Sequence, residues 1–414
     1  MADLGRVLLL TTAHSYRNEA FLRAAERLGI AVVKAIDMPP AMAQTWSGGI
    51  GFDFADAGAA TAAVAAYAAT HPLNAILAVD DSGVVAAANA AAWLGLPHNT
   101  PAAAEAARDK FLMRTLMAAA GVPCPWFSRF STGDDLHGIA AQIPYPCVVK
   151  PLALNGSRGV MRANDPESFV GAAQRLARLL ARETADAAPQ PFLVESFIPG
   201  FEVALEGMLD GGELTVLALF DKPDPLDGPY FEETIYVTPS RLSPAVQAAI
   251  AACTGRAARA IGLHTGPIHA ELRVNEQGPW MLEVAGRSIG GLCAQTLRFD
   301  REMSLEELIL RQACGLPWQA TRDLAQASGV MMIPIPEAGN LQGVEGVAAA
   351  QATPGVESVE ISVPLHHTVT PLPEGDSYLG FIFARGDTPA VVEAALRQAH
   401  AHLRFHIVPE FALG

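Results

Sequence analysis

Charge is scarce in this chain of 414 residues: 17% of it is Asp, Glu, Lys or Arg, and the balance is acidic, with a formal net charge of −15. That sign argues against nucleic acid or an anionic membrane surface as a partner, and no local basic patch reverses it. Cysteine is scarce as well. Cys124, Cys147, Cys253, Cys293 and Cys314 show no paired spacing, which reads as buried reduced thiols of a cytoplasmic protein. Long apolar runs are missing, so no segment is expected to span a bilayer, and Val7–Leu10 is too short for a signal peptide. Two glycine signatures are also missing. No Gly-x-Gly-x-x-Gly follows the first strand, which argues against a dinucleotide site, and no Gly-Lys-Ser/Thr marks a P-loop.

What is present is a globular chain, 50% hydrophobic, long enough for two or three domains. Arg6–Thr11, Ala31–Ile36 and Ala75–Val79 read as strands, with helices at Asn18–Leu28 and Ala59–Ala69. That alternation predicts a small parallel sheet. Asp80-Asp81 then either lines a crevice at a strand's carboxyl end or caps the next helix, and capping is the favoured reading. Thr100-Pro101 begins a helix carrying Asp109 and Lys110. The strand PCVVK ends on Lys150, and a buried strand rarely ends in Lys without a charge partner. Asn155–Gly159, with two glycines, is either a phosphate cradle or an ordinary hairpin turn. Phe192–Phe197, Glu202–Leu209 and Leu214–Phe220 read as strands, and Asp221–Pro229 as a mobile surface loop.

The most telling stretch is His269–Gly291. His269, Glu271 and Arg273 alternate with Ala270, Leu272 and Val274, and Met281, Glu283 and Ala285 alternate with Trp280, Leu282 and Val284. A three-residue turn, Glu276-Gln277-Gly278, joins the two strands and sets Glu271 opposite Glu283. Carboxylates facing each other across a strand pair repel. Either a cation lies between them or both are solvated on an open face. Oxygen ligands suit Mg²⁺ or Mn²⁺, with substrate phosphates completing the shell. His269, on the same face, either touches phosphate or substrate or makes a structural hydrogen bond.

Taken in order, these features resemble the ATP-grasp superfamily of carboxylate–amine ligases, in detail over Thr100–Leu316 and more loosely at both ends. The resemblance implies an α/β and α+β protein. An N-terminal parallel α/β domain would occupy residues 1–100, a two-lobed ATP-grasp nucleotide domain 101–316, and a strand-rich C-terminal domain 317–414. It implies ATP and Mg²⁺ (or Mn²⁺) as cofactors. Lys110 and Lys150 match phosphate-contacting lysines, and Asn155–Val160, with Gly156, Ser157 and Gly159, matches the glycine-rich lid. Glu195-Ser196-Phe197 matches the hinge that reads adenine, through the Glu195 carboxylate and the Phe197 backbone. Glu202 matches the ribose-binding acid, Glu271 and Glu283 the metal ligands, and Arg287 the catalytic arginine. One position departs: where the family places an asparagine ligand two residues after the second acid, this chain has Ala285.

Within the superfamily the chain is similar to L-amino acid ligases, which join amino acids into dipeptides. Gly228–Glu233, Val237–Ser240, Arg287–Gly291 and the tail segments Gly329–Pro334 and Tyr378–Gly386 carry that likeness. It implies Glu233 near a substrate ammonium, with His269, Gly290 and Gly291 at the substrate. The expected activity is ATP-dependent amide formation through an acyl phosphate, releasing ADP and phosphate. The alternatives are a biotin-carboxylase-like or purine-pathway ligase acting on a small acid, and a non-catalytic nucleotide-binding homologue. Expected partners are small molecules, with a homodimer compatible with the amphipathic helix Pro389–Leu403.

Overall fold

The structure, a computed structural model, describes residues 5–13, 15–47, 49–184, 188–300, 303–319 and 326–409. At the N-terminal end, the strands Ile50–Phe52, Ala31–Asp37, Arg6–Thr11 and Ala75–Ala78 form a parallel sheet in that spatial order. Its central strand is buried on both faces, as its unbroken apolar run requires. Leu8 and Leu10 pack with the alanine-rich helices on one side. Val7 and Leu9 pack with Phe21 on the other, in a core shared with Leu305, Leu308 and Ile309 of the helix Leu305–Ala313. A helix far along the chain therefore holds this sheet in place. The sheet's carboxyl ends, at Thr11 and Val79–Asp81, face the middle of the molecule.

A four-stranded antiparallel sheet follows, ordered Phe127–Ser131, Pro191–Ser196, Cys147–Pro151, Met161–Ala163. The helix Pro166–Thr184 packs Phe169, Ala173 and Leu176 into its core. The largest sheet has eight antiparallel strands: Gly278–Ala285, Gly266–Asn275, Phe201–Asp210, Glu213–Lys222, Ile235–Thr238, Ala327–Ile333, Gly380–Gly386 and Val356–Ile361. It runs across the sequence-based boundary at 316/317, so the C-terminal strands continue the sheet of the central domain. The helix Pro389–His402 lays Val392, Leu396 and Ala399 into the core beneath the strands Ala327–Ile333 and Gly380–Gly386.

Three local features differ from the sequence reading. The hairpin loop has two residues, because Asn275 pairs with Gly278, whose φ is 106°. A strict two-residue hairpin would set Glu271 against Leu282. A bulge between Leu272 and Glu271 absorbs one residue, and Glu271 faces Glu283 after all. The buried Arg114 donates to the carbonyl of the bulged Leu282, which gives the displaced backbone group a partner. The helix begun at Thr100-Pro101 breaks at Asp109. Its carboxylate accepts from the amides of Phe111 and Leu112 and so caps a second helix, Lys110–Ala119. The strand read as ending at Phe220 runs on to Lys222, which buries that lysine.

Candidate active site

Period-two alternation divides the large sheet into an apolar face and a charged one. On Phe201–Asp210, Val203, Leu205 and Leu209 join the core under the helices Lys110–Ala119 and Pro244–Ala260. Glu202 and Glu206 point the other way. Cross-strand register aligns Lys222 with Glu202, Glu202 with Arg273, and Glu206 with His269. Glu202, His269 and Arg273, together with Glu271 and Glu283, border a cavity of about 640 Å³, with Lys222 and Glu206 buried behind them. The small antiparallel lobe, the carboxyl edge of the parallel sheet and the C-terminal segment around Tyr378 supply its other walls.

Of the residues singled out from the sequence, Lys110, Lys150, Gly156, Ser157, Glu195, Phe197, Glu202, Glu233, His269, Glu271, Glu283, Arg287, Gly290 and Gly291 all line this cavity. Gly159 does not. Its amide donates to Pro373 at 2.8 Å, and a Cβ there would lie 3.0 Å from Leu176 and Leu179. It is a packing glycine under the loop, not part of an anion cradle.

Lys222 was not anticipated. Its ammonium lies 3.0, 2.5 and 2.9 Å from Glu202, Glu233 and Glu271, with 3% of the side chain exposed. Oxygens of those three acids fall within 4.8 Å of one another, and the lysine is the cation that holds them together. Burial opposes the charged lysine, but Glu233 and Glu271 outweigh it and raise its pKa well above the usual value. Glu233 is pushed up to about 7, first by burial and then by Glu271. Burial works against the Glu271 charge, yet Lys222 and His269 hold its pKa well below the ordinary carboxylate range.

Glu271 and Glu283 retain 23% and 29% side-chain exposure, toward the cavity. Glu283 has Lys110 at 3.6 Å, and Glu271 has His269 Nε2 at 3.6 Å. Two part-exposed, opposed carboxylates form an oxygen donor set that fits Mg²⁺ or Mn²⁺ with phosphate oxygens as further ligands. Ala285 pairs with His269 across the hairpin, so a histidine stands beside the position that lacks an amide. His269 Nδ1 lies 3.1 Å from the fully buried Glu206. Burial opposes its charge, but hydrogen bonds to Glu206 and Glu271 raise its pKa to about 9.

The hinge residues Glu195, Ser196 and Phe197 line the cavity and are held by surrounding charges. The Glu195 carboxylate, 2% exposed, is clamped between Arg114 at 2.6 Å and Lys150 at 2.5 Å. It is the charge partner that the strand-terminal lysine required, and it also lines the cavity. The Phe197 amide donates to Pro146 at 2.9 Å, which leaves only the Phe197 carbonyl for a base. The Phe197 ring lies between the guanidinium groups of Arg162 and Arg273, at 4.1 and 4.9 Å. Arg273 also bonds Glu202 at 3.0 Å and the Leu226 carbonyl. With Arg162 donating to the Asp227 carbonyl at 2.7 Å, it ties down the loop read as mobile.

Neither aspartate of Asp80-Asp81 caps a helix through its side chain. Asp80 accepts from the Thr12 amide at 3.1 Å and from Ser15 at 2.9 Å. Asp81 takes Nε and Nη2 of Arg287 at 2.9 and 2.6 Å. The crevice reading is the one the structure bears out. Burial disfavours the Asp81 charge, but the Arg287 guanidinium more than offsets it and lowers its pKa. Besides Lys222, the sequence reading missed Arg114, Glu206 and this tether on Arg287. Glu206 was within reach, since it continues the alternation Glu202, Ala204, Glu206. The partners of Arg114 and Arg287 are distant in sequence and left no local pattern.

With that geometry in place, the family relationships follow. The ATP-grasp domain model matches residues 143–296, the ATP-grasp N-terminal domain model 22–98, and the model for L-amino acid ligase C-terminal domain 2 residues 331–408. An alanine–anticapsin ligase of Bacillus subtilis is 27% identical over 243 residues, 55% of this chain and 51% of that protein. A D-alanine–D-alanine ligase of a Synechococcus species is 31% identical over 205 residues, 46% of this chain and 58% of that protein. The chain thus spans between half and two-thirds of the length of these relatives. A crystal structure of an L-amino acid ligase from Bacillus licheniformis superposes with a TM-score of 0.78 at 23% identity, covering 98% of this chain and 99% of that one. Its architecture, its three matched domains and the placement of its charged residues around one cavity make this chain a member of the ATP-grasp superfamily.

Proposed function

We propose that the protein is an ATP-dependent carboxylate–amine ligase that activates an amino acid as an acyl phosphate and joins it to an amine, forming an amide or dipeptide. The observation that carries this reading is the meeting of Glu271, Glu283, Lys110, Lys150 and Arg287 at one cavity. Phosphoryl transfer to a carboxylate brings two anions together. Mg²⁺ held by Glu271 and Glu283 would supply the neutralising charge. Lys110 and Lys150 add positive charge from the neighbouring wall, Lys150 being aimed by Glu195. Arg287, fixed by Asp81, stabilises the oxyanion that forms when the amine attacks, and the phosphate that leaves. The loop at Gly156-Ser157, which lines the cavity, keeps water from the activated acyl group.

Ala285 offers no ligand, and Lys222 and His269 already bring positive charge to Glu271. That supports one bound divalent ion rather than two. The match of residues 331–408 to an L-amino acid ligase domain supports amino acids over bicarbonate or formate. ADP release measured with amino acids singly and in pairs, and with bicarbonate and formate, tests the assignment. The expected result is ADP release with amino acid pairs, and a product whose mass is their sum less one water. ADP release with bicarbonate or formate alone would move the protein to the small-acid ligases, and ATP binding without turnover would make it a non-catalytic homologue.

A further inference from the structure

The chemistry of the ligase reading uses the charged part of the cavity lining and leaves an apolar part unexplained. There Ile289, Cys293, Met332 and Phe381 form an apolar floor, each at most 4% exposed, and Tyr16 and Tyr378 stand at its rim. Three separate parts of the chain meet there. Tyr16 follows the first strand of the parallel sheet, Ile289 and Cys293 follow the metal-ligand hairpin, and Met332, Tyr378 and Phe381 come from the C-terminal region. The ring of Tyr16 meets Phe381 edge-on at 5.7 Å, and Tyr378 meets it at 6.3 Å. Gly291, with φ of 57°, lets the backbone pass close by, since a Cβ there would lie 3.2 Å from the Phe381 ring. Cys293 Sγ lies 3.8 Å from Met332 Sδ, so the floor is closed by two soft, polarizable atoms.

The floor adjoins the charged cluster. Cys293 and Tyr378 both feel the Glu233 carboxylate, which adds to burial in raising their pKa values. A ligand group that reaches Glu233 and Arg287 would extend its remainder over this floor. No Lys, Arg, Asp or Glu contributes to the floor itself, so a side chain lying flat on it meets apolar and sulfur atoms only. A methyl group would leave the floor unfilled. Relying on the ligase reading, we propose that this apolar floor is a side-chain subsite, and that one of the two joined substrates is an amino acid with a large apolar or aromatic side chain. The Tyr378 hydroxyl makes no hydrogen bond among the described residues, so the rim also offers a polar group at the edge of such a side chain.

The test uses the full-length protein with Mg²⁺. Thermal shift in the presence of a non-hydrolysable ATP analogue reads binding of L-phenylalanine, L-leucine, L-methionine, L-alanine, L-aspartate and L-lysine. ADP release with ATP reads turnover of the same set in pairs. The subsite predicts that phenylalanine, leucine or methionine exceeds alanine and both charged amino acids by roughly tenfold to a hundredfold in kcat/KM, the range that hydrophobic-pocket contacts supply. Tyr16→Ala, at the 41% exposed rim, is expected to raise KM for the large amino acid about tenfold and leave KM for ATP unchanged. Met332→Ala should do the same from the floor. Turnover confined to alanine or charged amino acids would overturn the subsite while leaving the ligase reading intact. Binding of phenylalanine without ADP release from any pair would support the subsite and overturn the ligase reading. Neither binding nor turnover would remove both.

Discussion

At the scale of single residues, the site is a set of buried charges that cannot be altered one at a time without consequence. Glu283 is the exception, because it is part-exposed and its nearest cation is 3.6 Å away. Glu283→Ala is therefore expected to lower ADP release at least about a hundredfold while the unfolding midpoint stays close to that of the unaltered protein. Unchanged ADP release would remove the metal assignment. Arg287→Ala is expected to lose product formation by about 10²–10³ and keep its affinity for ATP. It also leaves Asp81 buried without its partner, so the protein should lose stability, and adding Asp81→Asn should restore stability but not activity. Steady-state kinetics and denaturant melts on the single and double variants check both parts. Lost ATP affinity with turnover preserved at saturation would contradict the role given to Arg287. Most of these residues were legible in the sequence because each sits on a strand with period-two alternation or at a strand end. Arg287 was legible as a site residue, but its tether was not, because Asp81 lies 206 positions away.

At the scale of elements, the hairpin carries the lesson. The sequence placed Glu271 opposite Glu283 through a three-residue turn, and the structure reaches the same pairing through a two-residue turn and a bulge. The two routes differ by one residue at the loop and cancel at the acids, a cancellation that turn chemistry alone cannot reveal. Arg114 reinforces the bulge by donating to Leu282 and also binds Glu195. Arg114→Leu is expected to loosen both the bulge and the Lys150 side chain. The cost should be on the order of 3–5 kcal/mol, as for one partner removed from a buried ion pair, with a parallel fall in ATP affinity. Denaturant melts and nucleotide titration check it, and a variant as stable as the parent would contradict the bracing role. Other misreadings at this scale have equally local causes. Asp109 reads as an ordinary helical residue until its carboxylate is seen to cap the next helix. Lys222 reads as the start of a loop until three acids are found around it.

At the scale of the whole molecule, the cavity exists because distant parts of the chain converge. The parallel sheet meets the large sheet through the Asp81–Arg287 pair, which ties its carboxyl edge to the strand carrying Glu283. The folded-state pKa of Asp81 is depressed, so its contribution to stability is fully present above the unfolded value of about 3.9. It is lost as pH falls from there through the lower folded value. Acid titration should therefore destabilise the protein in that window, and Asp81→Asn should flatten that part of the profile. An identical acid limb in the variant would contradict it. The large sheet's passage across residue 317 was not legible, because it depends on Ile235–Thr238 pairing with Ser328–Met331, about ninety positions further on. The most direct test of the central claim follows the oxygen. With an amino acid labelled by ¹⁸O in its carboxylate, ATP, Mg²⁺ and an amine, an acyl phosphate requires one labelled oxygen to appear in inorganic phosphate for each amide formed, with ADP as the other product. Unlabelled phosphate, or AMP with pyrophosphate, would contradict it.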